Sequence, residues 1–373
     1  MLKNQYLKQW SRIVSYYLPH LSLPQARGLA TWSFGMVMTR SSSLTRVSTF
    51  IARLNQEKSN TVRSRLKEWY QEAPAKSGKK RAQLEVCSCF APLLRWVLSL
   101  LPSSATELFI ALDATSIGSN FTVLSVNVLY RRCAIPVAWH VVKATQPGSW
   151  KPHWQKLLQQ LSPVIVGERK VIVCADRGLY ADWLFNAITA IGWHPFLRIN
   201  HQGTYRLPEQ SQWHCLKTIV PHPGASWSGQ LTCFKTHPLD CTLLARWEQP
   251  YQDPWLILTD LPPGEASVLW YGLRCWIECS YRDFKSDGWQ WHKTRLSDPG
   301  RAERHWLAMA VATLWMVLSV AEVDTTADAP PLEPLLTQGI THTHHTSSSP
   351  PRQLSCFLVG FLTLLADLLN GLP

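Results

Sequence analysis

The sequence predicts an α/β fold in which a mixed sheet is flanked by helices, with an all-helical region before it and a β-rich insertion within it. Three observations predict this organisation. Residues 5–72 read as helices separated by short breaks, residues 108–199 follow the order β-β-β-α-β-α-β, and residues 201–262 contain turn residues and short β-like runs. With 46% hydrophobic and 17% charged residues among 373, the chain can bury a sizeable core and is expected to form more than one domain or one domain with a large insertion.

Residues 1–81 are expected to form a basic helical domain. They hold 15 Lys and Arg against three Asp and Glu, which accounts for the whole net charge of +12, so the rest of the chain is balanced. A cationic module attached to a neutral body indicates a polyanionic partner, chiefly nucleic acid, with an anionic membrane surface as the lesser alternative.

Helices in this domain are predicted at Tyr6–Tyr17, Pro24–Thr39, Leu44–Leu54 and Asn60–Gln71. The last two form a candidate helix–turn–helix, and its second member carries Arg63, Arg65 and Lys67, which we expect to contact DNA. The alternative is a small helical bundle with a solvated basic face. Residues 74–81 read as a basic linker.

Residues 86–200 and 263–323 are predicted to form the core, in which the sheet comes from the first range and the second range adds helices. Its strands are expected at Leu108–Asp113, Thr122–Tyr130, Ala134–Val142, Arg169–Asp176 and His194–Ile199. Helices are expected at Phe90–Leu101, Trp150–Leu161, Tyr180–Ile191 and Ala302–Ser319. The insertion, residues 201–262, has β-like runs at Leu231–Lys235, Cys241–Trp247 and Trp255–Leu258.

Residues 324–373 are expected to form a linker and a C-terminal helix. Residues 324–353 are rich in Pro, Thr, Ser and His, and the apolar run from Cys356 to Ala366 is too short to span a bilayer. The ten cysteines lack paired metal-ligand spacing, so we expect reduced thiols and a cytoplasmic location. No signal peptide and no Gly-rich phosphate loop are visible, so neither export nor nucleotide use is indicated.

Two predicted strands end in an aspartate, Asp113 and Asp176. Sites in α/β sheets gather at strand ends, so these carboxylates are candidate ligands for divalent cations. Each also has a simpler interpretation, because Asp at a strand end commonly forms a turn. Asp182 and Asp260 are rival acids in the same region.

One helix is predicted to present a single acid among cations. At about 100° per residue, its polar side chains fall within a stripe roughly 80° wide. These residues are Tyr271, Arg274, Glu278, Arg282 and Lys285. Such a helix suits an enzyme that holds a metal ion beside a phosphodiester. The alternative is an amphipathic helix whose charges form i,i+4 pairs, such as Glu278 with Arg274 or Arg282.

At these positions the chain resembles the DDE transposases of bacterial insertion sequences, in the insertion-sequence-four family. The family signature Y-x2-R-x3-E-x6-K is met by Tyr271, Arg274, Glu278 and Lys285. Leu112-Asp113-Ala-Thr and Ala175-Asp176-Arg-Gly resemble its two aspartate blocks. The resemblance covers about residues 105–315 and implies an RNase H-like catalytic core with a β insertion before the glutamate.

The resemblance also implies roles for individual residues. Asp113, Asp176 and Glu278 would bind two Mg²⁺ ions, with Mn²⁺ as a substitute. Phosphates of the element's ends would be held by Tyr271, Arg274, Lys285 and, from the same face, Arg282. A tryptophan of the insertion would stack on a flipped base, with Trp247 and Trp255 as candidates, although core packing is the more common role of tryptophan.

The sequence therefore predicts a transposase that binds its terminal inverted repeats as a homodimer and carries out metal-dependent cleavage and strand transfer. Two alternatives remain. One is an RNase H-like nuclease without strand transfer, and the other is an inactive DNA-binding repressor derived from a transposase. Neither a membrane nor a nucleotide is an expected partner.

Overall fold

A computed structural model describes residues 4–78, 81–102, 104–167, 169–249, 251–323 and 356–371. The N-terminal helices lie close to their predicted positions: α1 is Gln5–Tyr17, α2 is Leu23–Thr39, α3 is Leu44–Asn55 and α4 is Ser59–Trp69. Ser43 caps α3, and Gln56 ends it in the left-handed conformation. Each of these helices buries an apolar side against its neighbours.

A ten-stranded mixed sheet forms the centre of the molecule. Its first five strands are β1 (Glu107–Ile117), β2 (Phe121–Tyr130), β3 (Cys133–Lys143), β4 (Lys170–Ala175) and β5 (His194–Arg198). The antiparallel β1–β2–β3 meander joins parallel β4 and β5, in the order β3-β2-β1-β4-β5. The RNase H-like mixed sheet that the sequence predicted is therefore present.

Strands of the insertion extend this same sheet. They are β6 (Thr204–Arg206), β7 (His214–Cys215), β8 (Ser226–Cys233), β9 (Leu239–Arg246) and β10 (Trp255–Thr259). β10 pairs antiparallel with β5, and β9, β8, β6 and β7 follow outwards. Because an unpaired β5 would leave a row of free backbone groups at the edge, the insertion closes that edge of the core.

The remaining helices pack on the faces of the sheet and on one another. They are α5 (Phe90–Leu98), α6 (Lys151–Leu161), α7 (Asp182–Thr189), α8 (Cys275–Arg282), α9 (Pro299–Val323) and α10 (Cys356–Leu369). Fully buried α9 residues such as Trp306 form the contact between the sheet and the N-terminal helices. No helix among the described residues is long and apolar enough to cross a membrane. Every cysteine whose side chain is described is a free thiol.

The prediction of one continuous α-helix from Tyr271 to Lys285 is wrong in its geometry. The segment begins as a 3₁₀ helix, Val268–Arg274, continues as α8 and ends in a π-helical turn, Asp283–Asp287. The carbonyl of Asp283 accepts hydrogen bonds from the backbone N–H groups of Gly288 and Trp289, both at 2.9 Å. A constant angle of 100° per residue therefore does not hold across the signature, because each helix type has its own pitch.

Candidate active site

Asp113 and Asp176 lie next to each other in the sheet. The parallel strands β1 and β4 pair Leu112 with Ala175, so the two aspartates follow at adjacent positions. Neighbouring strands are about 4.8 Å apart, which brings the two carboxylates within reach of a common ligand. The prediction that β1 ends at Asp113 is wrong, because β1 continues to Ile117 through its pairing with β2.

Backbone amides hold the carboxylate of Asp176. Its Oδ1 atom accepts hydrogen bonds from the N–H groups of Gly178 at 2.9 Å and Leu179 at 3.2 Å. This is the turn-forming role that the simpler interpretation assigned to Asp176. A Cβ atom at position 178 would lie 3.3 Å from that oxygen, so glycine allows the tight turn. The turn fixes the direction of the carboxylate and leaves Oδ2 for another partner.

Two hydrogen bonds fix α8 against β1 and β3, at one end of the sheet. The N–H of Ala134 donates to Oγ of the buried Ser280 at 2.8 Å, and the hydroxyl of Tyr281 donates to the carbonyl of Asp113 at 3.2 Å. These partners are separated by 146 and 168 residues along the chain, so no local sequence pattern predicts either contact. The contacts bring Glu278, which precedes them on α8, to the side of β1.

Arg274 connects the glutamate to the first aspartate. Its guanidinium lies 2.7 Å from Oε1 of Glu278 and 3.5 Å from Oδ2 of Asp113. The side chains of Arg274 and Asp113 are 14% and 18% exposed, whereas that of Glu278 is 62% exposed. The i,i+4 pair that the amphipathic alternative predicted is thus present, and its cation also reaches Asp113.

The carboxylates influence one another electrostatically. Burial raises the pKa of Asp113 to about 6; Arg274 and the N–H of Ala114 oppose this, while Asp176 and Glu278 raise it further. Burial lowers the pKa of Arg274, but Tyr271, the two aspartates and Glu278 outweigh burial and raise it overall. Three acids and one arginine therefore form a single electrostatic cluster.

Two other signature residues, Tyr271 and Lys285, border this cluster. Burial raises the pKa of Tyr271 to about 12, with Arg274 and Arg198 opposing and Asp176 adding to the increase. Burial lowers the pKa of Lys285, and the charge of Asp113 opposes that change. The hydroxyl of Tyr271 has no hydrogen-bond partner within the described part of the chain.

Arg282 has a different environment. It is exposed, and its guanidinium lies 3.5 Å from Oδ2 of Asp287, at the end of the π-helical turn. Its contact with a phosphate stays a prediction.

The donor set fits a hard divalent cation in its chemistry. Asp113 and Asp176 offer carboxylate oxygens at adjacent positions, and burial, with smaller contributions from Asp176 and Glu278, raises the pKa of Asp113, so a bound cation would favour its charged form. Among the described residues, however, no group of three or more His, Cys, Asp or Glu side chains is arranged to hold a metal ion. Glu278 is engaged with Arg274 instead.

The two tryptophan candidates have different contacts. The ring of Trp255 meets that of Tyr271 edge to face at 5.4 Å, so it borders the signature residues. The indole N–H of Trp247 donates to the carbonyl of Tyr251 at 2.8 Å, which anchors the loop before Trp255. Both side chains are partly exposed.

The three predicted DNA contacts on α4 do not share one face. Arg63 and Lys67 line a cleft with Thr45, and Arg63 donates to the Thr45 hydroxyl at 2.7 Å. Arg65 pairs with Glu57 at 3.0 Å. The spacing explains this, since positions four apart share a helix face and positions two apart do not.

The rival acids have structural partners. Asp182 accepts a hydrogen bond from the N–H of Trp183 at the start of α7, and Asp260 lies 3.0 Å from Nδ1 of His194. The histidines of the tail, His342, His344 and His345, lie outside the described residues.

Comparison with known proteins finds one family model that matches part of the chain. Residues 138–315 match the family model of the transposase DDE domain, slightly less than half of the chain. The match includes Asp176, Arg274 and Glu278 and begins after Asp113. This part of the chain is therefore similar to the DDE domain of transposases.

Among solved structures, the chain is similar to a piggyBac transposase in a synaptic complex with hairpin DNA. The TM-score is 0.33 and the sequence identity 11%, with 94% of this chain and 85% of that chain covered. No curated protein matches the chain.

Proposed function

We propose that this chain is a DDE transposase of the insertion-sequence-four type and that it moves its element by cut-and-paste transposition. It would bind the terminal inverted repeats, cleave the DNA at the ends and join them to target DNA without a covalent protein–DNA intermediate. The observation that carries this proposal is the adjacency of Asp113 and Asp176 on parallel strands, with Glu278 linked to Asp113 through Arg274.

Asp113, Asp176 and Glu278 are the residues proposed to hold the metal, two Mg²⁺ ions or Mn²⁺ in their place. Bound there, the ions would activate the attacking oxygen and stabilise the leaving oxygen of a phosphodiester. The chain's own contribution is to fix the carboxylates: the turn at Gly178 orients Asp176, and Tyr281 ties α8 to the backbone of Asp113.

The cations of the signature are proposed to hold the scissile strand. Arg274 suits bidentate capture of a phosphate and Lys285 acts as a point charge. Before DNA binds, the guanidinium of Arg274 instead compensates the charge of Asp113 and Glu278. Arg282 and the unpartnered hydroxyl of Tyr271 would add contacts to the same strand, and Trp255, beside Tyr271, is the better placed candidate to stack on a flipped base.

The N-terminal helices are proposed to recognise the element's ends, with Arg63, Arg65 and Lys67 contacting the DNA. Two ends must be paired for transposition, so we propose a homodimer in the synaptic complex. A cytoplasmic, bacterial location follows from this proposed function.

The test is incubation of the full chain with linear DNA that carries its element's ends, with Mg²⁺, and separation of the products on a gel. Glu278→Gln keeps the size of the side chain and removes its charge, so we expect cleavage to fall at least about 10³-fold, as when one member of a catalytic unit is removed. Binding of end DNA in EDTA should stay within a few-fold of wild type.

Glu265→Gln is the matched control, because Glu265 is an exposed glutamate in an ion pair with Lys170 at 3.2 Å. It should cleave at the wild-type rate. Normal cleavage by the Glu278 variant would refute its assignment. Cut DNA without joined products would favour the nuclease, and end binding without cleavage under any metal would favour the repressor.

A further inference from the structure

A cleft of about 620 Å³ lies between the N-terminal helices and the segment that follows the signature. One wall consists of the start of α3 and the exposed face of α4. The other wall is formed by residues 290–296, which follow the π-helical turn that contains Lys285. The cleft therefore lies between the proposed end-recognition helices and the segment that follows the signature residues.

Cations line both walls of this cleft. Arg46, Arg63 and Lys67 come from the helical wall, and Lys293 and Arg295 from the opposite wall. All five are exposed, and no Asp or Glu lines the cleft. Within the part of the chain that the structure describes, none of the five forms an ion pair, so their charges are compensated only by solvent ions.

Neutral donors supplement these charges. The cleft includes the N-terminal turn of α3, where Ser43 is the cap and where the free N–H groups and the helix dipole favour an anion. His305 also lines the cleft; its side chain is only 4% exposed, and its Nδ1 atom has no hydrogen-bond partner among the described residues. Charged and neutral groups thus both suit a ligand with several acceptor oxygens.

The two walls are held in a fixed relation. The N–H of Ser42 donates to the carbonyl of Trp289 at 2.8 Å, and the guanidinium of Arg40 donates to the carbonyl of Asp287 at 2.6 Å. Nε of Arg301 donates to Glu72 at 2.8 Å, which ties α9 to the segment after α4. A ligand would therefore meet cations that are already in place, which reduces the entropy lost on binding.

We propose that this cleft binds the sugar-phosphate backbone of duplex DNA, with both walls contacting the same duplex. A single free phosphate would engage one or two of the five cations, whereas successive phosphates of a strand can engage cations on both walls. The inference rests on the proposed function and adds to it Arg46, Lys293 and Arg295 as DNA contacts. Its consequence is that the duplex recognised by α4 is held in register with the active site.

The test is the salt dependence of DNA binding by the full chain, measured by fluorescence anisotropy in EDTA with a labelled duplex carrying the element's end. Lys293→Gln with Arg295→Gln changes one wall, and Arg63→Gln with Lys67→Gln changes the other. Each cation that contacts a phosphate contributes about 0.9 to the slope of log K against log salt, so each pair should reduce the slope by about 2. The loss of binding affinity in each variant should be similar for end DNA and for unrelated DNA.

Lys156→Gln with Lys217→Gln is the matched control, since both lysines are exposed and neither lines the cleft. The slope of log K against log salt for this control should stay within about 0.5 of the wild-type slope. An unchanged slope in the Lys293 and Arg295 pair would overturn the cleft proposal, even if the α4 pair lowers it. Failure of the wild-type chain to bind DNA at all would instead refute the proposed function. Equal circular dichroism and melting temperature establish that the variants fold.

Discussion

Arg274 should stabilise the fold chiefly through Asp113, although its contact with Glu278 is shorter. The guanidinium lies 2.7 Å from Glu278 and 3.5 Å from Asp113, so distance alone favours the glutamate. Exposure reverses that order, because the side chain of Glu278 is 62% exposed and that of Asp113 only 18%. Water screens the first pair far more strongly than the second.

The expected coupling energies follow from these environments. An exposed i,i+4 pair contributes about 0.3–0.5 kcal/mol. The pair with Asp113 lies mostly out of water, where the Coulomb energy at an effective dielectric constant of 20 is about 4 kcal/mol for charges 4 Å apart, before desolvation is subtracted. We therefore expect a net coupling of about 1.5–3 kcal/mol for Arg274 with Asp113.

Two double-mutant cycles measure these couplings. One combines Arg274→Gln with Asp113→Asn, and the other combines it with Glu278→Gln, each followed by urea unfolding of the metal-free protein in EDTA at pH 8. Each cycle isolates its pairwise energy when fluorescence and circular dichroism give coincident transitions. A Glu278 coupling equal to or larger than the Asp113 coupling would refute the argument that burial, rather than distance, decides the strength of these contacts.

Two further predictions concern stability. Ser280→Ala leaves the buried N–H of Ala134 without its acceptor, so it should lower the free energy of unfolding in urea by about 1–3 kcal/mol. The control Ser286→Ala, at an exposed serine of the π-helical turn, should lower it by less than about 0.5 kcal/mol. Equal losses would contradict the role of Ser280 in fixing α8. Burial lowers the pKa of His305 from its ordinary value of 6.5 to about 4, so the folded state favours the neutral ring. The stability linked to this neutral ring, about 3 kcal/mol, is fully present above pH 6.5 and is lost as the pH falls to 4. Melting curves recorded from pH 7 to pH 4 should show a smaller loss of stability in His305→Gln than in the wild type. If the stability of both proteins falls equally with pH, His305 is not responsible for the loss.

The sequence predicted the core strands well because their apolar runs are bounded by turn residues. Thr122–Tyr130 and His194–Ile199 were predicted, and β2 and β5 lie at those positions to within one residue. β1 was predicted too short, because its last residues are polar and become a strand only through pairing with β2. The pairing of β10 with β5 was not predicted either, since strand pairing between distant segments leaves no local sequence pattern.

The candidate site was predicted by residue type, and its arrangement was not. The signature spacing identified Tyr271, Arg274, Glu278 and Lys285, but a regular helix was assumed throughout. The segment changes helix type twice. After the second change Phe357 packs against Gly288, where a Cβ atom would lie 2.5 Å from the phenyl ring. The direction of each side chain therefore depends on packing by residues outside the motif.

By itself, the sequence determined the helices, the central strands and the basic N-terminal region, and it singled out three acids as candidate metal ligands, because these depend on local periodicity, charge and spacing. Only the tertiary structure decided that Asp113 and Asp176 lie at adjacent positions, that Arg274 links Asp113 to Glu278, and that residues 290–296 face α4 across a cationic cleft. Each of these is a contact between segments far apart in the chain. Such contacts are selected by burial and pairing of the whole fold, which no short stretch of sequence encodes.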